Sequence, residues 1–167
     1  HRAMFAVRSS FSRACATMAR NSRAMAVSHA LPAMHARTFA SPAASQVIVE
    51  KDDAKRIAVV KMNRQPANAL NTDFMLELTS ELQKLEDEGK VRGVILSSNC
   101  KKVFCAGLDL LALAGASEES LKTFWSAHQE LWLTLYGSPM ATVAAIEGAA
   151  PAAGCMLAMA CDHRIMA

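Results

Sequence analysis

Two short stretches of small residues carry the chemistry open to this chain. Val103-Phe104-Cys105-Ala106-Gly107-Leu108-Asp109-Leu110 is one, and Gly148-Ala149-Ala150-Pro151-Ala152-Ala153-Gly154-Cys155 is the other. Each reads as the end of a strand, a turn of small residues and a helix start. Such turns leave backbone N–H groups unpaired and pointing outward. Two of them brought together donate two hydrogen bonds to one oxygen that gains negative charge during a reaction. Taken singly, each turn reads as strand-to-helix packing with no ligand. Few side chains nearby offer proton chemistry. Asp109 reads as a local turn and helix-start acceptor. Glu147 reads as a local polar contact or a loop-surface residue, and His163 as a core or interface packing residue on a strand. The thioether of Met156 can neither take nor give a proton.

The elements that must position these turns follow from periodicity. Gln46–Lys51 and Arg56–Met62 alternate or run apolar and β-branched, so they read as strands joined by a hairpin turn over Lys51–Lys55. Asn63–Asn71, with Pro66, is a loop. Thr72–Glu88 is a helix, capped by Thr72 or Asn71 and stopped by Gly89. Met75, Leu78, Leu82 and Leu85 line one of its faces. Val91–Ser98 is a strand leading into the first turn. Ser117 caps a helix to Tyr136, with Leu121, Phe124, Trp125, His128, Leu131, Trp132 and Leu135 as its expected apolar stripe. Ala141–Ile146 is a buried strand leading into the second turn. The helix Ala153–Ala160 and the strand His163–Met166 follow. Strands alternate with helices throughout, so the fold class is α/β.

The charge distribution separates two regions. Residues 1–49 hold six Arg, no Lys and no acidic residue, whereas residues 50–167 hold 12 Lys+Arg against 15 Asp+Glu. The basic balance therefore belongs to the leader, and the region after it lacks the basic excess of a nucleic-acid surface. An Arg-, Ser- and Ala-rich leader without acids has the composition of a mitochondrial transit peptide. Arg37-Thr38-Phe39-Ala40-Ser41 resembles a matrix-protease site cut after Phe39. The expected organisation is thus a disordered transit peptide over 1–39, a linker over 40–46 and a domain over 47–167. The apolar stretch Met140–Cys161 contains Glu147, Pro151 and two Gly, so it reads as strand, turn and buried helix rather than a membrane span. Cysteines 15, 100, 105, 155 and 161 form no CxxC pair and no zinc spacing, so reduced thiols in an intracellular compartment are expected.

The two turns, in this order, resemble the oxyanion hole of the crotonase (enoyl-CoA hydratase/isomerase) superfamily. Ala106-Gly107-Leu108-Asp109-Leu110 and His128-Gln129-Glu130-Leu131-Trp132-Leu133-Thr134-Leu135-Tyr136 look most like its mitochondrial Δ3,Δ2-enoyl-CoA isomerase branch. The resemblance runs from about Val47 to Ala167. It implies a crotonase-like spiral of ββα units, truncated here before its C-terminal part. It also implies an acyl-CoA substrate, with CoA arriving as part of it and no metal or redox cofactor, a homotrimer when complete, and the mitochondrial matrix as location.

By position in the family, the hole donors are the N–H groups of Leu108 and Ala153. The resemblance further assigns Ala67, Ala69, Ala106, Gly107, Leu108, Asp109, Leu110, Ala153 and Gly154 to substrate binding. Arg64, Lys101 or Lys102 would meet the CoA phosphates or remain solvated, and the acyl tail would lie against Leu110, Leu111 and the helix around Phe124 to Trp132. The chain departs from the family by carrying Ala152-Ala153 where relatives usually have glycines, with methyl groups that would crowd the thioester or shift the turn. It also departs at Met156, where the hydratases carry a catalytic Glu. Adding water needs two acid/base groups, whereas moving a double bond from the 3,4 to the 2,3 position needs one. The isomerase base is a Glu expected after residue 167, so these residues alone are expected to be inactive. Another crotonase-fold enzyme, a hydratase or hydrolase, and a non-catalytic acyl-CoA binder are the alternatives.

Overall fold

Alternating apolar residues give each central strand one inward face. In a computed structural model of the chain, the described residues are 45–167. The expected transit peptide and residues 40–44 of the expected linker lie outside them. The strands are β1 (Val47–Asp52), β2 (Ile57–Met62), β3 (Gly93–Ser98), β4 (Ala141–Ile146) and β5 (His163–Met166). They form one sheet in the order β1-β2-β3-β4-β5, with β1 antiparallel to β2 and every later pairing parallel. Ala58, Val60 and Met62 are buried, as are Val94 and Leu96, and Thr142, Ala144 and Ile146. The register sets Ala58 beside Val94 and Val60 beside Leu96, then Val94 beside Thr142 and Leu96 beside Ala144. One buried row therefore runs across three strands, and a slip of one residue would turn it outward.

The helices are α1 (Thr72–Glu88), α2 (Leu110–Leu113), α3 (Glu118–Tyr136) and α4 (Ala153–Ala160). The side chain of Asn71 caps α1 by accepting from the Phe74 N–H at 3.0 Å, and Gly89 closes it in the left-handed conformation. The buried face of α1 carries the four residues expected there together with Phe74 and Thr79. It packs against α3 and β1, and α3 packs against α4. Glu77 on α1 ties down the start of the sheet, accepting from the Ser45 hydroxyl at 2.6 Å and from the Gln46 N–H at 3.1 Å. Because Asn71 supplies the helix's side-chain cap, Asn71→Ala is expected to cost about 1 kcal/mol in urea denaturation.

Besides one-residue shifts at the ends of β1 and β2, the structure departs from the sequence reading at several points. Val91 and Arg92 lead into β3 without belonging to it, although Arg92 still donates to the Arg56 carbonyl at 2.8 Å. The helix start expected at the end of the first turn is a single turn only, α2, and Asp109 caps it as expected. Trp125 is 47 % exposed, while Ala127 and Thr134 are buried in its stead. It lies one residue, about 100° of helical rotation, from buried Phe124. Its ring meets Phe124 and His128 edge-on at 5.8 and 5.7 Å instead of entering the core. His163 is not in the core, one of the two placements expected for it, because β5 is an edge strand all of whose residues are exposed. Among the described residues no helix is long and apolar enough to cross a membrane.

Candidate active site

The first turn is held by the loop that follows β2. The Leu70 N–H donates to the Gly107 carbonyl at 2.8 Å, and the Asp109 N–H donates to the Leu70 carbonyl at 2.9 Å. This parallel bridge between Leu70 and Leu108 fixes the direction of the peptide between them. In a trans peptide the C=O and N–H point opposite ways. The Gly107 carbonyl faces Leu70, so the Leu108 N–H faces away from the loop. It has no backbone or side-chain partner among the described residues.

The second turn is zipped onto the first. Phe104 N–H donates to the Ala149 carbonyl at 2.9 Å, and Ala149 N–H donates to the Lys102 carbonyl at 3.0 Å. Gly154 lies so close to Cys105 that a Cβ there would overlap the Cys105 carbonyl. Gly107 has φ 92°, and a Cβ built on it would lie 3.1 Å from the Ala152 methyl and 3.3 Å from the Ala153 nitrogen. The peptide bearing the Leu108 N–H therefore lies directly beside the start of α4. Ala153 is the first residue of α4, and its N–H likewise has no partner among the described residues. Gly154 N–H turns back to the Pro151 carbonyl at 2.9 Å and Met156 N–H to the Ala152 carbonyl at 3.2 Å. The positive end of the α4 dipole adds to the field at the gap between the two free N–H groups. Two such donors are suited to holding an oxyanion, at about 3 kcal/mol each.

The two alanines of the second turn behave differently. Ala153 is 3 % exposed, so its methyl packs into the core rather than into the gap. Ala152 has φ 50° and ψ −120°, a backbone conformation that suits glycine and costs an alanine about 1–3 kcal/mol. Its residue is exposed beside Gly107. Met156, one turn further along α4, is 45 % exposed.

Asn68 organises the first turn and was not singled out from the sequence. It is fully buried with φ 52°. Its Oδ1 accepts from the Arg64 N–H at 2.9 Å and from the Cys100 thiol at 3.3 Å. Its Nδ2 donates to the Ser98 hydroxyl at 2.8 Å and to the Phe104 carbonyl at 2.9 Å. Ala67 takes part through its carbonyl, which accepts from the Ala106 N–H at 2.9 Å, and Ala69 through its carbonyl, which accepts from Arg64 Nη1 at 2.7 Å. Arg64 is not solvated in the way the sequence suggested, because Nη2 also pairs with Asp109 Oδ2 at 2.8 Å. Asp109 Oδ1 accepts from the N–H groups of Leu111 and Ala112, as expected of a helix-start acceptor. Leu110 and Leu111 are 73 % and 87 % exposed, whereas Phe124 is buried and Trp132 half-buried. Glu147 is exposed, as are Lys101 and Lys102.

Burial separates the cysteines. Cys155 on the first turn of α4 is exposed, while Cys100, Cys105 and Cys161 are buried. Desolvation pushes the thiols of Cys105 and Cys161 up to about 11. Iodoacetamide at pH 8 should therefore modify Cys155 first among the described cysteines, with Cys105 and Cys161 reacting only on unfolding, as peptide mass mapping would show. A thiol whose folded-state value is raised contributes stability below its unfolded value, and that stability is lost as pH rises through the folded value. The folded protein should accordingly lose stability between about pH 9 and 11.

The chain as a whole is similar to known proteins. The family model described as Enoyl-CoA hydratase/isomerase matches residues 52–167, and the chain belongs to that family. It is 46 % identical over 132 residues to mouse "Enoyl-CoA delta isomerase 1, mitochondrial", covering 79 % of this chain and 45 % of that protein. The crystal structure of human mitochondrial delta3-delta2-enoyl-CoA isomerase superposes with a TM-score of 0.70 at 46 % identity, over 72 % of this chain and 46 % of that one. A crotonyl-CoA hydratase of Syntrophomonas wolfei is 33 % identical over 72 % of this chain and 46 % of its own length. The chain thus spans about half the length of the relatives it matches.

Proposed function

We propose that the protein carrying this chain converts 3-enoyl-CoA to 2-trans-enoyl-CoA in fatty-acid β-oxidation. Removing a proton from C2 of the thioester makes an enolate whose charge sits on the thioester oxygen. The N–H groups of Leu108 and Ala153 hold that oxygen, and the proton returns at C4. The observation that carries this reading is the pair of unpartnered N–H groups brought side by side by Gly107 and the start of α4. Ala67, Ala69, Ala106, Gly107, Asp109, Leu110 and Gly154 complete the proposed acyl-CoA site around them.

Met156 favours isomerisation over hydration, since no proton carrier occupies its place on α4. The single base is assigned to a Glu on a segment after β5. Neither Asp109, committed to Arg64 and to the cap of α2, nor exposed Glu147 takes that role. The proposed reaction asks for no metal or redox cofactor, and CoA enters with the substrate. A homotrimer in the mitochondrial matrix completes the proposal, in keeping with the acid-free leader and with the mitochondrial relatives. The test supplies 3-enoyl-CoA to the full-length protein and analyses the products. Formation of 2-trans-enoyl-CoA is expected. Formation of 3-hydroxyacyl-CoA would reassign the protein as a hydratase, release of free thiol as a hydrolase, and tight binding without turnover as an acyl-CoA binder.

A further inference from the structure

Arg64 lies in the loop after β2, and both ends of its guanidinium are committed. Nη1–H donates to the Ala69 carbonyl at 2.7 Å, and Nη2–H donates to Asp109 Oδ2 at 2.8 Å. The two side chains are 25 % and 15 % exposed, so the pair is largely withdrawn from water. The Ala69 carbonyl shares its peptide with the Leu70 N–H. That N–H donates to the Gly107 carbonyl at 2.8 Å. The Gly107 carbonyl in turn shares its peptide with the Leu108 N–H, which has no partner. Both peptides are trans, so their dipoles point in sequence. A line of hydrogen-bonded peptides therefore runs from a fixed positive charge to the free N–H of the first turn.

Hydrogen bonds in series polarise one another, and a charged donor at the head of the series strengthens it. A guanidinium that draws electron density from the Ala69 carbonyl makes the Leu70 N–H a stronger donor. The Gly107 carbonyl, more strongly held, leaves the Leu108 N–H more positive. We propose that Arg64 is a positioning residue for the oxyanion. Through the Ala69–Leu70 and Gly107–Leu108 peptides it both aims the Leu108 N–H and raises its strength as a donor. Asp109 sets the limit of the effect by partly neutralising the guanidinium, while its own N–H fixes the Leu70 carbonyl at 2.9 Å. This inference rests on the acyl-CoA reading above and adds to it a residue that the sequence offered only to phosphates or to solvent.

Two probes test it in the full-length protein. Acetoacetyl-CoA loses its C2 proton to buffer, and its bound enolate absorbs in the near ultraviolet. An S-alkyl-CoA thioether has the same CoA but no carbonyl. Arg64→Gln keeps an amide donor and removes the charge, Arg64→Lys keeps the charge, and Asp109→Asn keeps the helix cap while removing the counter-charge. Arg64→Gln should weaken enolate binding on the order of tenfold and leave thioether binding unchanged. Arg64→Lys should restore most of the loss, and Asp109→Asn should shift the enolate in the opposite direction. Equal weakening of both probes by Arg64→Gln would make Arg64 a direct CoA contact and overturn the relay. Unchanged binding of both probes in a folded Arg64→Gln protein, checked by its melting temperature, would overturn it as well. If Arg64→Gln fails to fold, Arg64→Lys and Asp109→Asn decide, and movement of both in the same direction would reject the relay. Wild-type protein that binds neither probe would instead reject the acyl-CoA reading itself.

Discussion

If the proposed function holds, Gly154→Ala is expected to lower turnover of 3-enoyl-CoA by the full-length protein about a hundredfold, with a loss of stability of about 1–3 kcal/mol. The added methyl has nowhere to go. It would overlap the carbonyl of Cys105, which is backbone and cannot rotate aside as a flexible side chain would. Cys105 is itself fixed, because its thiol bonds the Asn68 carbonyl at 3.2 Å and Phe104 beside it is bonded to Ala149. Relief must come from the start of α4 moving away from the first turn. That movement carries the Ala153 N–H away from the Leu108 N–H. The hydrophobic face of α4, with Leu157 and Ala158 buried, resists unfolding, so a folded but inactive protein is the expected product. Thermal denaturation together with turnover of 3-enoyl-CoA checks this. Full activity with an unchanged melting temperature would show that the two turns do not act as one site.

The extent to which sequence alone anticipates this site follows from how local each feature is. Strands and long helices were legible because their signal is a period. The Thr72–Glu88 helix announced itself by Met75, Leu78, Leu82 and Leu85, and all four are buried. Both small-residue turns were legible because glycine and proline punctuate the chain between periodic segments. The helix start at Asp109 was legible too, but not that α2 stops after one turn, since four residues are too few to show a period. Trp125 escapes a reading by residue type, because its angular position lies off the buried stripe although its side chain is aromatic. The fate of Arg64 was hidden for a different reason. Its partner Asp109 is 45 residues away, and long-range contacts such as the bridge between Leu70 and Leu108 bring the two together. Asn68 was equally silent, because a buried side chain with its hydrogen-bonding capacity filled looks in sequence like any other loop asparagine. The orientation of the Ala153 methyl was likewise unreadable. The sequence raised the prospect of a crowded turn, and the packing sends that methyl into the core.

Asn68→Asp is expected to destabilise the protein by about 4 kcal/mol at neutral pH, the scale of a buried charge left without compensation. The substitution is nearly isosteric, so cavity formation contributes little. What changes is polarity at one atom. Where the Asn68 amide donates to the Ser98 hydroxyl and the Phe104 carbonyl, a carboxylate oxygen would face them instead. Ser98 can turn its hydroxyl to donate, but the carbonyl of Phe104 cannot. Burial and that carbonyl together raise the folded-state value of the new carboxyl above the unfolded aspartate value of about 3.9. A carboxyl raised in this way loses stability as pH climbs from its unfolded value to its folded one. The deficit of the variant should therefore be smallest near pH 4, where the protonated acid can donate to Phe104, and should grow towards neutrality. Asn68→Ala supplies the comparison, because it removes the same hydrogen bonds without introducing a titrating group, and its deficit should not depend on pH over that range. Urea denaturation of the two variants from pH 4 to 8 measures the difference. Parallel curves would mean that the Phe104 carbonyl is free to move away from residue 68, and so that the first turn is held by the Leu70–Leu108 bridge and not by Asn68.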